Sequence, residues 1–311
     1  MPGDWLYQGG RRAYFCFIVF IFEYCGSMNI SILLPTRKRL PLLKKAVESL
    51  INNAREPDKL QFLFGVDKDD LETFKYLKDS KYPNQIALQF NPIGYENLHR
   101  YNNTLAQYST GKWIMFFNDD ALMCTKNWDD KIMDFEDQFC LLKFKEQTGH
   151  PYSIFPCFPR DWFRCLDHIS LHGQNDAWLS EIAYALDIMV EVDINVIHDR
   201  ADITGNNNDE TFRLRKYNEG NPQEKGDLHH QEMVNLRLAE ASKLAWFLDK
   251  IGQPSEAWKE VILKKRQPFF LLSEKFKLYK ESGGLGMGQQ NARSSNQREI
   301  KVSYSDIPKD T

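Results

Sequence analysis

Short apolar runs alternate with amphipathic segments between residues 28 and 117, and this alternation constrains the fold more than any other feature. The runs 28–36, 61–67 and 113–117 have the composition of buried strands. The segments between them carry apolar residues at helical spacing. Because strands that alternate with helices form βαβ units, the sequence predicts an α/β fold with a mostly parallel central sheet flanked by helices.

The later part of the chain has a less regular pattern. Its predicted elements are a helix over 128–144, an extended segment over 153–163 broken by Pro156 and Pro159, a helix over 176–187, a strand over 189–199, a mobile loop over 205–210 and a long helix over 226–250. After residue 281 the composition turns to Gly, Ser, Asn and Gln, which cannot build a core. The sequence therefore predicts a C-terminal helical extension over 211–280 and a flexible tail over 281–311.

The first 27 residues differ in character from the rest of the chain. Arg11 and Arg12 precede an uninterrupted apolar run over 13–22, which at ten residues is too short to span a bilayer. The run fits the core of a signal peptide or an anchor; alternatively, residues 1–27 are a leader before a true start at Met28. We favour the leader because a strand pattern begins at once at Met28. We expect a cytoplasmic protein, with peripheral contact to a membrane left open.

Charge and cysteine content bear on the kinds of partner and metal the chain could bind. With a net charge of −3 and a pI near 6.2, the chain lacks the basic footprint of a nucleic-acid-binding protein, so no nucleic-acid partner is expected. The six cysteines lack CxxC spacing and indicate free thiols. Cys157, Cys165, His168 and His172 could form a zinc site. Seven residues separate the two cysteines, more than is usual, and we favour independent core and loop roles.

Polar side chains follow four of the predicted strands, at the point where each strand ends. They are Thr36 to Arg39, then Asp67, Asp69 and Asp70, then Asn118, Asp119 and Asp120, and finally His198 and Asp199. Because ligands of α/β proteins bind outside the carboxyl ends of the strands, we expect these groups to form one site. Carboxylates suit a hard cation such as Mg²⁺ or Mn²⁺, which can hold a diphosphate. The alternative for residues 118–120 is an acidic turn after a strand.

Five motifs stand in an order that is typical of one enzyme family. They are SILLPTRKRLPLLKKAVESL, FGVDKDD, NNTLAQYSTGKWIMFFNDD, HGQNDAWLSEIAYAL and VEVDINVIHD. In these motifs, from about Met28 to Asp202, the chain resembles the family 2 glycosyltransferases, nucleotide-sugar-dependent enzymes of the GT-A fold. The resemblance implies a GT-A domain over 28–210, with a donor half over 28–120 and an acceptor half over 121–210. It also implies a metal-dependent, inverting, hexosyltransferase-type transfer from a nucleotide-diphosphate sugar to an acceptor hydroxyl.

The resemblance assigns the metal ligands and the catalytic base. The family's DXD motif falls on Asn118, Asp119 and Asp120, with Asp120 as the direct metal ligand and Asp119 in a secondary role. His198 completes the coordination, and its neutral imidazole suits Mn²⁺ better than Mg²⁺. Asp176 matches the acceptor-side acid that, as general base, takes a proton from the acceptor hydroxyl. From the residues alone, His198 also suits a strand-end histidine bonded to backbone, and Asp176 also suits a helix N-cap.

The resemblance also implies which residues hold the donor, and here the chain departs from the family pattern. The implied residues are Pro35, Thr36, Arg37, Arg39, Asp67, Asp69, Asn103, Asn118 and Asp119. Lys68 stands where the family has a second aspartate, so Asp67 and Asp69 are assigned to the base and ribose. Arg37 replaces a common aromatic residue, although a guanidinium plane can also stack on a base, and Asn118 replaces an aspartate. A UDP-type donor is favoured.

The sequence leaves two alternative functions to consider. A non-catalytic sugar- or nucleotide-binding relative is disfavoured because Asp120, Asp176 and His198 are all present. A sugar nucleotidyltransferase would carry a glycine-rich phosphate loop, whereas the turn PTRKR contains no glycine. The basic residues 37–39 in that turn either hold the diphosphate or form a solvated loop. The acceptor (a glycan, a lipid-linked sugar or a protein) is not encoded in a recognisable way.

Overall fold

One sheet runs through the described part of the chain. The computed structural model describes residues 19–21, 27–92, 94, 97–213 and 228–259. Its strands are β1 (Val19–Ile21), β2 (Ile30–Thr36), β3 (Leu60–Asp67), β4 (Ile86–Phe90), β5 (Trp113–Phe116), β6 (Ala121–Met123), β7 (Leu141–Glu146), β8 (Cys157–Pro159) and β9 (Met189–His198). Within these residues the nine strands are ordered β1-β4-β3-β2-β5-β8-β7-β9-β6.

The strands β2, β3, β4 and β5 pair in parallel with their neighbours among these four. The pairs β3–β4, β2–β3 and β2–β5 are parallel, and Leu33 of β2 is opposite both Leu63 of β3 and Phe116 of β5. Because of this register, the carboxyl ends of β2, β3 and β5 reach the same edge. β7 and β9 are also parallel, while the other four pairings in the described residues are antiparallel. The predicted α/β fold is confirmed, with its parallel pairings mainly in the first half.

Helices cover both faces of this sheet. They are α1 (Leu40–Asn53), α2 (Leu71–Asp79), α3 (Leu98–Ala106), α4 (Trp128–Met133), α5 (Arg160–Leu166), α6 (Asn175–Leu186), α7 (Ala201–Thr204) and α8 (Gln231–Lys250). Alternate residues of β2 enter two separate cores: Ile30, Ile32 and Leu34 pack with α1, whereas Leu33 lies in the core formed with α3, α6 and α8. A strand buried on both faces needs apolar residues at successive positions, as β2 has from Ile32 to Leu34.

The helix predicted over 128–144 is correct only over its first six residues, Trp128–Met133. Helical structure ends at Met133, and β7 occupies the end of the predicted range and pairs in parallel with β9. The side chains of Leu141 and Leu142 enter the two opposite cores of the sheet. Neighbouring residues point to opposite faces in a strand but not in a helix, so these two leucines favour the strand.

The prediction of an extended segment over 153–163 is only partly correct. It contains the short strand β8, but α5 begins at Arg160. Pro159 precedes the first helical residue, where the absence of its N–H removes no helical hydrogen bond. Trp162 and Leu166, four residues apart, are both buried on one face of α5. The prolines thus lead into the helix instead of keeping the chain extended.

Other predictions concern the ends of the chain. The strand β1 lies within the predicted leader and pairs antiparallel with β4, with Val19 opposite Leu88. The long helix predicted over 226–250 is confirmed as α8. The proposed domain boundaries stay predictions, and the tail 281–311 lies outside the described residues. None of the helices in the described ranges has the length and apolarity that a membrane crossing requires.

Candidate active site

A cavity of about 340 Å³ lies at the carboxyl ends of β2, β3 and β5. This volume is within the range of ligand pockets, and the position is where α/β sheets bind ligands. Nine of the twelve predicted site residues line it: Pro35, Thr36, Arg37, Arg39, Asp67, Asn118, Asp119, Asp120 and His198. Strand ends that are up to 162 residues apart in sequence (Thr36 and His198) thus share one cavity wall.

Asp120 and His198 lie side by side because the short strand β6 pairs with β9. Ala121 is opposite His198 in this antiparallel pair, so Asp120 reaches the imidazole, and its Oδ1 is 3.2 Å from Nε2. Both side chains are 5% exposed. Gln147 fixes the His198 backbone from the other side, since its amide donates to the carbonyl and accepts from the N–H, each at 3.0 Å. The backbone therefore sets the separation of the two side chains.

The Asp120–His198 pair suits a divalent cation in both geometry and chemistry. Two ligands at right angles and about 2.1 Å from a cation are about 3.0 Å apart, close to the observed 3.2 Å. A carboxylate oxygen and an imidazole nitrogen are donors that Mn²⁺ accepts. In the described ranges, no group of three or more His, Cys, Asp or Glu side chains is arranged to hold a metal ion. A metal at this pair would therefore need further ligands from the substrate or water.

Arg39 lies among three carboxylates. Its Nη1 donates to Asp119 Oδ1 at 3.0 Å and to Asp120 Oδ2 at 3.1 Å, and its Nε and Nη2 bind the two oxygens of Asp209 at 2.6 and 2.9 Å. Burial opposes the charge, but the carboxylates of Asp119, Asp209 and Asp120 outweigh burial and raise the pKa of Arg39. One guanidinium and three ionised carboxylates carry a net charge of −2. A divalent cation would neutralise this cluster.

Asp119 is held by the protein at both of its oxygens. Oδ1 accepts from Arg39, and Oδ2 accepts from the Thr36 hydroxyl at 2.7 Å. Burial raises the pKa of Asp119 to about 6, and the charge of Asp120 adds to this effect while Arg39 opposes it. Both oxygens of Asp119 are therefore bound to Arg39 and Thr36, and the secondary role of Asp119 stays a prediction.

On the β3 side of the cavity, Asp67 lies between Tyr101 and Arg37. The Tyr101 hydroxyl donates to Asp67 Oδ1, and Arg37 Nε is 3.4 Å from Oδ2. Burial raises the pKa of Asp67, and both neighbours oppose this rise. Asp69 is not among the cavity-lining residues; it binds Arg37 at 2.7 Å, and this hydrogen bond lowers the pKa of Asp69. Asp67 thus faces the cavity, while Asp69 holds Arg37 in place.

Asn103 is a predicted site residue that does not line the cavity. Its Oδ1 accepts from the N–H of Ile169 at 2.8 Å, and its Nδ2 donates to the carbonyl of Ser170 at 2.8 Å. These contacts tie α3 to the loop before α6. The predicted donor contact of Asn103 stays a prediction.

Asp176 also lies outside the cavity wall. It is half-buried in the first turn of α6, whose N-cap residue is Gln174, so the alternative of Asp176 as N-cap is wrong. Burial lowers the pKa of His150 to about 4, and the charges of Asp176 and Glu146 oppose this shift. Arg200, which lines the cavity, also acts on His150. The charges of Asp176 and Arg200 therefore both act on His150, in opposite directions.

Five further residues of the candidate site were not predicted from the sequence. They are Tyr101, Arg200, Asp209, Thr211 and Phe212, all in the cavity wall or bound to it. The polar segment 205–210 predicted only a loop. Its acidic residues 209 and 210 complement the basic residues 37–39, which was the available signal, but nothing in the sequence pairs two segments 170 residues apart.

The residues considered as a zinc site have separate partners. Cys157 is buried within β8, and His168 Nε2 lies 2.7 Å from Glu240 Oε1. His172 accepts at Nδ1 from the N–H of Gln174 at 3.1 Å. The four cysteines of the described residues, Cys124, Cys140, Cys157 and Cys165, are free thiols.

In fold, the chain is similar to GT-A glycosyltransferases: a mixed sheet with several parallel strands, flanked by helices. TarS of S. aureus matches with a TM-score of 0.48 and 13% identity, over 72% of this chain and 43% of that one. The mannosyltransferase PcManGT from Pyrobaculum calidifontis, in complex with GDP-Man and Mn²⁺, matches with a TM-score of 0.49 and 11% identity, over 86% and 88%. TarS 1-349 in complex with UDP-GlcNAc matches with a TM-score of 0.49 and 12% identity, over 80% of both chains.

In sequence, the chain is similar to part of a much longer curated relative. The O-antigen biosynthesis protein RfbC of Myxococcus xanthus is 28% identical over 109 residues, which is 35% of this chain. The match covers 8% of the length of RfbC. No protein-family model matches the chain.

Proposed function

We propose that this chain is a metal-dependent, inverting glycosyltransferase of the hexosyltransferase type, which moves a sugar from a nucleotide-diphosphate donor to an acceptor hydroxyl. The observation that carries the proposal is the placement of Asp120 Oδ1 and His198 Nε2, 3.2 Å apart, in a cavity at the carboxyl ends of parallel strands. Cavities in this position bind nucleotides and their phosphates in other α/β proteins. The order of the sequence motifs supports the same activity.

Asp120 and His198 would hold Mn²⁺, or Mg²⁺, beside the donor diphosphate. Bound there, the ion supplies Lewis-acid stabilisation of the charge that develops on the leaving diphosphate. Arg39 takes no part in this coordination, but its contact with Asp120 Oδ2 at 3.1 Å leaves Oδ1 directed at His198. The excess negative charge around Arg39 favours a divalent cation over a monovalent one.

The donor would bind along the cavity from Asp67 to Arg39. Asp67, fixed by Tyr101, offers a carboxylate to an N–H of the nucleotide base, and a UDP-type donor suits this acceptor. Arg37 can stack on the base or pair with a phosphate. The remaining donor contacts are proposed for Pro35, Thr36, Asp69, Asn103, Asn118 and Asp119. Arg39 adds positive charge where the diphosphate meets the metal.

Asp176 is the proposed general base. It would take the proton of the acceptor hydroxyl while that oxygen attacks the anomeric carbon from the face opposite the nucleotide, which inverts the configuration. Asp176 lies outside the wall of the donor cavity, so the acceptor would bind beside that cavity, next to Asp176. Burial holds the pKa of His150 well below its ordinary value, so its ring is neutral at pH 7.

The test is a thermal-shift experiment with UDP and GDP, with and without Mn²⁺, followed by a turnover experiment with UDP- and GDP-linked sugars. Ligand at about 100 times its Kd should stabilise the wild type by about 2.7 kcal/mol. Asp120→Ala should lose the Mn²⁺-dependent part of this shift. Asp130→Asn, which removes a surface carboxylate paired with Arg55 at 2.9 Å, is the matched control and should keep it.

The outcomes separate the competing functions. No Mn²⁺-dependent shift in the wild type with either nucleotide would contradict the proposal. A shift without hydrolysis or transfer of any sugar nucleotide would favour a non-catalytic binding protein. Release of pyrophosphate from a nucleoside triphosphate and a sugar 1-phosphate, with formation of the sugar nucleotide, would favour a nucleotidyltransferase.

A further inference from the structure

The segment 205–213 lies across the cavity and brings carboxylates to its basic residues. Asp209 binds Arg39 through both oxygens, at 2.6 and 2.9 Å. Glu210 lies 3.7 Å from Arg37 and 3.8 Å from Lys38. The Thr211 hydroxyl donates to the carbonyl of Arg37 at 3.2 Å, and Thr211 also lines the cavity. The three cations that follow β2 are therefore all next to acidic groups of one segment.

Asp209 contacts Arg39 in the way a phosphate would. A guanidinium binds carboxylates and phosphates through the same pair of parallel N–H donors. In Arg39 that pair, Nε and Nη2, is taken by Asp209, while Nη1 is taken by Asp119 and Asp120. A diphosphate can therefore bind Arg39 through two N–H donors only if one of these carboxylates first gives up its hydrogen bonds to Arg39.

Of the three carboxylates, Asp209 is the easiest to displace. The side chains of Asp119 and Asp120 are 7% and 5% exposed and follow β5 directly, whereas that of Asp209 is 32% exposed. The segment around Asp209 forms no strand pairing in the described residues. A partly hydrated carboxylate on such a segment loses less when its ion pair breaks than a buried one does.

We propose that Asp209 is an affinity-determining residue of the donor site: its carboxylate occupies Arg39 in place of a diphosphate, and the donor binds by displacing it. Glu210 acts in the same way, more weakly, on Arg37 and Lys38. This inference rests on the proposed function, because it requires a diphosphate to bind beside Arg39. The segment 205–213 then covers the cavity until a donor enters and releases it.

The test measures binding of UDP, GDP and inorganic pyrophosphate by calorimetry, first in EDTA and then with Mn²⁺. Asp209→Asn should bind all three about five- to tenfold more tightly than the wild type in EDTA, because the competing charge is gone. Asparagine keeps the N-cap that Asp209 provides by accepting from the Phe212 N–H at 2.8 Å, so the local fold is retained. Glu210→Gln, whose ion pairs are longer, should show about a twofold gain.

Two controls isolate the effect of position from that of net charge. Asp130→Asn removes the same charge from another Arg–Asp pair, with a carboxylate that is 38% exposed, and should leave all three affinities unchanged. Asp209→Glu keeps the charge on the segment and should bind like the wild type. A loss of fold cannot imitate the expected result, because destabilised protein binds more weakly, not more tightly.

The possible results distinguish a failure of the role proposed for Asp209 from a failure of the proposed glycosyltransferase function. If the wild type binds the nucleotides and Asp209→Asn binds them equally or less tightly, the inference is overturned and the proposed function stands. If neither protein binds any of the three ligands, both are overturned. If only Asp209→Asn and Glu210→Gln gain affinity, and pyrophosphate gains as much as UDP and GDP, the displacement of Asp209 by a diphosphate is supported.

Discussion

Two buried arginines in this chain have opposite environments. Arg39 lies in the cavity wall among three carboxylates, whereas Arg237 of α8 is fully buried in the core and lies 3.0 Å from Glu181 of α6. Arg237 also donates to the carbonyl of Leu228 at 2.8 Å. Arg39 contacts three carboxylates in the wall of a cavity, whereas Arg237 contacts one, that of Glu181, away from solvent, and the charge of Glu240 also acts on it.

The pKa shifts follow this difference. Burial lowers the pKa of Arg237, and Glu181 only partly offsets burial. The pKa of Arg39 is raised instead, because its carboxylates outweigh the same penalty. We infer that excess negative charge in a cavity wall favours binding of a cation, whereas the buried pair of Arg237 and Glu181 contributes to the packing of α8 against α6. Changes at Arg39 should therefore respond to added cations, and changes at Arg237 should not.

The largest expected effect is that of Arg237→Met. Removing the guanidinium leaves Glu181 buried without its partner, which should lower the free energy of unfolding by about 3–5 kcal/mol. Urea unfolding monitored by circular dichroism measures this loss. Mn²⁺ should restore none of it, and Arg237→Met with Glu181→Leu should recover much of it, because the uncompensated charge is then absent. If Mn²⁺ restored the stability of Arg237→Met, the claim that only changes at Arg39 respond to added cations would be contradicted.

Arg39→Met is the matched change at the cavity. It should lower the free energy of unfolding by about 2–4 kcal/mol, less than the core change because water reaches the cavity. Here Mn²⁺ should restore most of the stability, since a divalent cation can neutralise the carboxylates that Arg39 leaves behind. Unfolding in EDTA and in Mn²⁺ provides the measurement. If Mn²⁺ changed the stability of Arg39→Met and Arg237→Met equally, the inferred difference between a cation-binding cavity and a structural core pair would be contradicted.

The sequence predicted the first half of the fold well because each of its elements has a local signal. The strands β2, β3 and β5 are short apolar runs, and α1 has a clear apolar face. A parallel sheet then brings their polar ends together, so Thr36, Asp67 and Asn118 could be placed in one cavity wall from the sequence alone.

The remaining features of the fold and of the candidate site depend on tertiary contacts, which leave no local signal in the sequence. The three residues of β6 are too few to show a pattern, yet their pairing with β9 is what brings Asp120 to His198. Leu141 was assigned to a helix because its segment is apolar without a clear period, and only the two cores distinguish the strand. Asp209 was missed since an ion pair across 170 residues depends on tertiary structure alone.

The smallest expected effect concerns His150. Its ring centroid is 5.3 Å from that of Tyr152, whose hydroxyl donates to Glu181 at 2.9 Å, and the charge of Arg200, which lines the cavity, also acts on His150. Burial lowers the pKa of His150 to about 4. A lowered pKa stabilises the fold fully above the unfolded value near 6.5, and this stabilisation is lost as the pH falls toward 4.

We therefore expect the free energy of unfolding of the wild type to fall between pH 6.5 and pH 4.5 by about 1–2 kcal/mol more than that of His150→Asn. Asparagine does not titrate, and it can still accept from the N–H of Tyr152, which donates to His150 Nδ1 at 3.1 Å. Urea unfolding across this pH range measures the difference between the two proteins. A difference that stays constant with pH would mean that water hydrates the His150 side chain in the folded protein. Water would then reach from the cavity past His150 toward Glu181.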